Sequence, residues 1–261
     1  MKQIEVKKII DPISTSDGAG VKLKRSIGVE PNYFDPFLML DEFGSENKDD
    51  YIAGFPPHPH RGIETVTYML EGEFEHEDST GAKGRMSSGD VQWMTAASGV
   101  VHEEFHSPEF TRTGGAFEMI QLWVNLPADH KMSKPRYQEL PSSSIPVVDL
   151  PDGAGTLRVI AGSAFGEEGP AQTVTPINLW DLSLKPSGKI ELELPEASTT
   201  LLLVLTGSTH INDEDTVSAG DLARFERDGS RIVLDSKEGV RAILLNGTPI
   251  DEPVVAHGPF V

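Results

Sequence analysis

The sequence predicts an all-β protein built as two tandem jelly-roll β-sandwiches with few short helices. Three observations predict it. No segment carries apolar residues at i, i+3, i+4 and i+7 over several capped turns, so long amphipathic helices are not expected. Short β-rich runs recur along the chain, separated by Gly, Pro, Asn, Asp and Ser. A strand–turn pattern in the first half also returns in the second. Leu70-Glu71-Gly72 followed by Ser88-Gly89-Asp90 matches Leu205-Thr206-Gly207 followed by Ala219-Gly220-Asp221, the outline of half a jelly roll written twice.

In chain order, the expected strands are Ile63–Leu70, Val91–Thr95, Met119–Leu126, Leu157–Ala161 and Asn178–Leu184, then Lys189–Leu194, Thr200–Leu205, Leu222–Phe225, Arg231–Leu234 and Val240–Leu245. One short helix is expected around Ala128–Met132. The 25 glycines and 19 prolines suit many tight turns. Between about 127 and 156 the composition shifts to PADHKMSKPRYQELPSSSIP, which reads as the crossing between two domains. The expected division is therefore 1–135 and 136–261, two units of ordinary domain size within 261 residues.

Composition narrows the chemistry. With no cysteine, a disulfide scaffold, a thiolate nucleophile, a zinc ribbon and an iron–sulfur cluster are excluded, so any metal must be held by His and carboxylate. The 22 Lys+Arg against 41 Asp+Glu give a formal charge of −19. Such a surface argues against direct nucleic-acid binding, which rests on neutralising phosphates, and against an anionic membrane face. The start lacks an apolar run of signal-peptide length, and no apolar run spans a bilayer; the expectation is a cytoplasmic protein. No G-x-S-x-G elbow, P-loop or Rossmann fingerprint is present.

Of eight histidines, two groupings stand out. His58-Pro59-His60 opens the run that starts at Ile63, and His102-Glu103-Glu104 follows Gly99-Val100-Val101. In a strand, residues i and i+2 share a face. If these two segments pair in one barrel, His58, His60, His102 and Glu104 converge as an N/O site without sulfur. That donor set suits Fe(II), and by ligand type also Mn, Ni, Co, Cu or Zn. Glu64 shares parity with His58 and His60 and competes with Glu104 for the carboxylate role, unless Arg61-Gly62 breaks the strand; an ion pair with Arg61 is its plainer reading.

The remaining histidines have blander readings. His76 lies in the run Glu73–Asp78, a solvated charge stretch. His106 reads as a partner behind the ligands or as a surface loop. His130, His210 and His257 read as exposed or hydrogen-bonded structure. Asp41-Glu42 face opposite ways on a strand and do not form a shared acid/base pair.

Several stretches resemble the pirin family of bicupins: Phe34–Phe43, Gly54–Val66, Gly89–Thr95, Gly99–Glu104, Gln121–Leu126, and the ending Glu252 to Val261. The resemblance is dense from about 34 to 138 and thinner from 140 to 245. It implies two cupin-type β-sandwiches with one metal, usually iron, in the first. The family's ligands fall here on His58, His60, His102 and Glu104, in agreement with the spacing.

Counting from the repeat glycines places Glu193, Pro195 and Val233 at the corresponding positions of the second half, so that domain is expected to be metal-free. Family members are quercetin 2,3-dioxygenases, or regulators of transcription and of metabolic enzymes that do not bind DNA. Two functions follow as expectations. One is a monomeric Fe(II) dioxygenase acting on quercetin or a similar phenolic with O2, with Glu104 taking the substrate proton and Phe55, Phe43, Trp93 and Met94 as apolar walls. The alternative is a metal- and redox-sensing module whose acidic surface docks on a protein partner.

Overall fold

A computed structural model describes residues 2–28, 33–79 and 81–261. Its strands divide between two compact units. One unit comprises Ile13–Ser142 together with Ile250–Val261; the other comprises Met1–Pro12 together with Ser143–Pro249. Each is described by itself.

In the first unit, a sheet runs in the order Arg136–Leu140, Val91–Thr95, Ile63–Glu71, Phe117–Asn125, Phe37–Ser45, Val21–Ile27, Ile13–Asp17. A second sheet, ordered Phe55–His60, Val100–Phe105, Glu73–Asp78, Lys83–Ser87, carries the metal-ligand candidates. Phe74 and Met86 from this sheet pack with Met69, Phe117 and Met119 from the other, so the two close over one core. Ile63–Glu71 is buried along nearly its whole length, as a central strand covered on both faces must be.

The second unit repeats this order strand for strand: Val6–Ile10, Leu222–Phe225, Thr199–Ile211, Val240–Gly247, Ile177–Leu184, Gly155–Ala161, Val147–Asp149. Gly188–Glu193 pairs with Arg231–Ser236, which pairs with the far end of Thr199–Ile211, as Phe55–His60 pairs with Val100–Phe105 and that with Glu73–Asp78. The internal repeat is visible at atomic detail in its Gly-Asp turns. Gly89 and Gly220 hold φ of 89° and 91°, a conformation glycine adopts without penalty. Gly89 N–H donates to the Met69 carbonyl at 2.7 Å, and Gly220 N–H to the Val204 carbonyl at 2.8 Å. Asp90 Oδ2 then accepts from Ser87 N–H, as Asp221 Oδ2 does from Ser218 N–H.

A single cut at 135/136 does not describe this division. The proline-rich stretch contains Arg136–Leu140, which pairs with Val91–Thr95 and belongs to the first unit. The matching edge position of the second unit is taken by Val6–Ile10, paired with Leu222–Phe225. Arg136–Leu140 continues the main stretch of its unit, whereas Val6–Ile10 comes from outside the stretch 143–249 that forms the rest of its sheet. The helix expected at Ala128–Met132 is a set of turns. Among the described residues the α-helix is Pro108–Thr113, started by Ser107, whose hydroxyl accepts from Phe110 N–H.

Candidate metal centre

Strand register brings the histidines together. In the pairing of Val100–Phe105 with Phe55–His60, Val100 lies opposite His60 and His102 opposite His58. The alternate residues Val100, His102 and Glu104 are buried, so His102 faces inward beside His58 and His60. The ring centroids stand 4.4 Å apart for His58 and His102, 4.8 Å for His58 and His60, and 5.0 Å for His60 and His102. One nitrogen from each ring lies within 4.8 Å of the others, a geometry able to hold one metal ion.

The donors are also free to bind. His60 Nδ1 and both ring nitrogens of His102 are buried without a hydrogen-bond partner, an arrangement that costs free energy unless something satisfies it. The Pro56 carbonyl accepts from His58 Nδ1 at 2.9 Å, which leaves the lone pair on Nε2. Burial, reinforced by the neighbouring imidazoles, pushes the His60 pKa down to about 3 and that of His102 to about 2. Both rings therefore stay neutral at physiological pH, as metal ligation requires. The residues fit a metal of the N/O class.

Glu104 has a different place. The register shifts between His102 and Glu104, so Glu104 lies opposite Phe55 on one side and His76 on the other. It lines the same cavity as His58 and His60 but is outside the three-histidine group. Burial raises its pKa, while His58 and then His76 pull it down.

Glu64 is fully buried and lies outside that group; Thr95 donates to its Oε1 at 2.7 Å. The break at Arg61-Gly62 separates it from the His58–His60 strand. His76, expected in a solvated run, is buried, because Glu73–Asp78 alternates inward and outward as a strand; its Nε2 meets Glu139 Oε1 at 3.1 Å. His106 is buried among Tyr51, Phe74, Phe110 and Phe117, with contacts to the Glu73 and Tyr51 carbonyls. His130 lies beside Asp129, half exposed. His210 faces the Thr216 hydroxyl, and His257 is exposed.

The cavity beside the histidines has a volume of about 440 Å³. Phe43 and Phe55 line it, as expected; Trp93 and Met94 are instead fully buried core. Met39, Asp41, Gln121 and Trp123 complete the opposite wall. Sequence parity holds the signal for these residues: 39, 41 and 43 share a face of Phe37–Ser45, and 121 and 123 share a face of Phe117–Asn125. Asp41 is held by Arg25 through two bonds, Nε to Oδ1 at 2.8 Å and Nη2 to Oδ2 at 2.6 Å. Thr67 donates to Gln121 Oε1, which turns the amide nitrogen of Gln121 to other partners.

In the second unit, the register puts aliphatic residues where these ligands stand. There Leu192 lies opposite Ile232, in the places of His58 and His102; Leu194 N–H donates to the Ser230 carbonyl, in the places of His60 and Val100; and Leu234 lies opposite Ile211 as Glu104 lies opposite His76. The positions reached by counting, Glu193 and Val233, fall on the opposite face of the same strands. No second group of metal-holding residues occurs among the described residues.

The chain matches two family models: Pirin over residues 20–124 and the Pirin C-terminal cupin domain over 179–261. A Pseudomonas aeruginosa relative, provisionally named a quercetin 2,3-dioxygenase, is 47% identical over 254 residues, spanning 94% of this chain and 86% of the relative. A crystal structure of quercetin 2,3-dioxygenase from Acinetobacter baumannii superposes with a TM-score of 0.92 at 38% identity, over 99% of this chain and 92% of that one. A bacterial pirin from Escherichia coli in complex with nickel(II) shares the fold, with a TM-score of 0.71 at 20% identity over 93% and 98%.

Proposed function

The chain belongs to the pirin family, and from that premise we propose that it is an Fe(II)-dependent dioxygenase that cleaves quercetin or a similar flavonol with O2. The observation that carries the reading is three converging imidazoles, with buried unpartnered nitrogens on His60 and His102, beside an aromatic-lined cavity. A volume of about 440 Å³ lies within the range of small-molecule sites, which favours turnover of a phenolic over a closed sensing site. The name of the Acinetobacter structure points the same way.

In this reading His58, His60 and His102 hold the metal, with Glu104 as the carboxylate of the site. The ion, when bound, supplies Lewis acidity toward a phenolic hydroxyl and a redox-active centre for dioxygen. The protein does the rest. Phe43, Phe55 and Trp123 offer ring faces and edges to a planar aromatic ligand. The Gln121 amide, with its oxygen already engaged by Thr67, presents N–H groups to substrate oxygens. Glu104 takes the hydroxyl proton; burial lifts its proton affinity above that of an ordinary carboxylate, which is what a base in this position needs. Once the proton is transferred, the electron-rich ring is held among apolar walls, screened from water.

Iron-loaded protein is expected to consume O2 with quercetin, and His58→Ala to abolish that uptake. An oxygen electrode trace that is flat for both proteins sinks the dioxygenase reading.

A further inference from the structure

The segment Ile250–Val261 belongs to the metal-bearing unit, although some 190 residues separate it from the histidine strand. Two anchors bring it there: Asp251 N–H donates to Asp35 Oδ2 at 2.7 Å, and Ala128 N–H donates to Glu252 Oε2 at 2.8 Å. Beyond them the chain makes a tight turn, with His257 N–H donating to the Phe260 carbonyl at 2.9 Å and Phe260 N–H back to the His257 carbonyl at 3.3 Å. Its two tip residues, Gly258 and Pro259, line the metal cavity beside His58 and His60.

The turn is fastened to the ligand strand itself. Arg61 pairs with Phe260 in a parallel bridge. Arg61 N–H donates to the Pro259 carbonyl at 3.4 Å, and Val261 N–H donates to the Arg61 carbonyl at 3.0 Å. At Gly62, with φ of +78°, a Cβ would stand 1.8 Å from the Val261 carbonyl oxygen. Only a residue without a side chain admits this approach. The bridge meets the chain at Arg61, directly after His60, so the turn bears on the backbone that carries a metal-ligating imidazole.

We propose that the Gly258–Pro259 turn is a specificity-determining wall of the substrate cavity and that its fastening to Arg61 positions His60. The substrate part rests on the flavonol reading above. A turn that is braced against the ligand strand limits the size of the group that enters beside the metal. It also ties the orientation of a ligand to a segment remote in sequence.

Two variants test this with binding readouts that need no turnover, so their failure is distinct from failure of the dioxygenase reading. In a chain shortened by residues 257–261, Co(II) titration is expected to show affinity down by roughly tenfold or more and altered visible bands. Pro259→Ala keeps the backbone carbonyl and removes the ring from the wall. It is expected to retain Co(II) affinity, and to shrink the preference of the Co(II)-loaded protein for quercetin over a bulky quercetin glycoside by about threefold to tenfold. The proposal is overturned if the shortened, folded chain binds Co(II) like the full one, or if Pro259→Ala leaves the quercetin-to-glycoside ratio unchanged.

Discussion

The two units have the same strand order and the same Gly-Asp turns, yet opposite interiors. In one, inward strand positions carry His58, His60 and His102 at the head of a cavity. In the other, the matching positions carry Leu192, Leu194 and Ile232, all part of one aliphatic core with Leu202, Val204 and Leu244. A jelly roll can therefore use its interior either for cohesion or for chemistry. Two buried imidazoles with unsatisfied nitrogens, His60 and His102, weaken the apo form, whereas an aliphatic filling contributes burial free energy of about 25 cal/mol per Å².

The sharpest way to break this comparison is to truncate the same slot in each unit. His102→Ala is expected to lower metal affinity by at least about a hundredfold, more than loss of an outer-shell partner costs, as read by metal content after dialysis. Ile232→Ala, in the place of His102, is expected to leave metal content unchanged and to cost about 2–5 kcal/mol in denaturant unfolding. An Ile232→Ala protein that loses metal would show the second unit to be more than a filled copy.

Acidification should separate the units next. The folded pKa values of His60 and His102 lie below that of a histidine in the unfolded chain, near 6.5. Between about pH 6.5 and 3 the unfolded chain binds more protons, so stability is full above 6.5 and falls as pH drops. Each histidine contributes up to about 1.4 kcal/mol per pH unit in that window. In metal-free protein, amide exchange in Phe55–His60 and Val100–Phe105 is expected to quicken on going from pH 7 to pH 5, after correction for intrinsic rates. Exchange in Gly188–Glu193 and Arg231–Ser236, where the inward side chains do not titrate, should stay level.

The smallest contrast concerns two buried aspartates on corresponding strands, Asp41 paired with Arg25 and Asp181 paired with Arg241. Their arginines are about a third exposed, so water recovers part of what a broken pair loses. Asp41→Ala and Asp181→Ala should each cost about 1–3 kcal/mol of stability. Only Asp41→Ala should also change quercetin affinity, because Asp41 lines the cavity. Asp181 alternates with Trp180 and Leu182, which face the aliphatic core.

Much of this contrast is legible in the chain. Ten strands were readable from β-rich runs between turn residues, because a half-buried strand writes its period into the sequence. The missed strands include Ile13–Asp17, exposed throughout, and Glu73–Asp78, whose charges mask its inward Phe74, His76 and Asp78. In the second unit, counting from glycines landed one residue off the inward positions. A one-residue slip in a strand moves the reading to the other face, and hydrogen-bond register is needed to correct it.

By itself, the sequence determined the class of fold, the repeat, the absence of sulfur ligands and the candidate set His58, His60, His102 and Glu104. Those features depend on residue identity and on spacings of two, which a strand converts directly into a shared face. Tertiary structure decided which strands meet. It placed three histidines in one group with Glu104 farther along the same cavity, gave Glu64 to Thr95, and brought Val6–Ile10 to one unit and Ile250–Val261 to the other. These outcomes rest on strand pairs far apart in the chain, selected by the closure of whole sheets, and no local period records them.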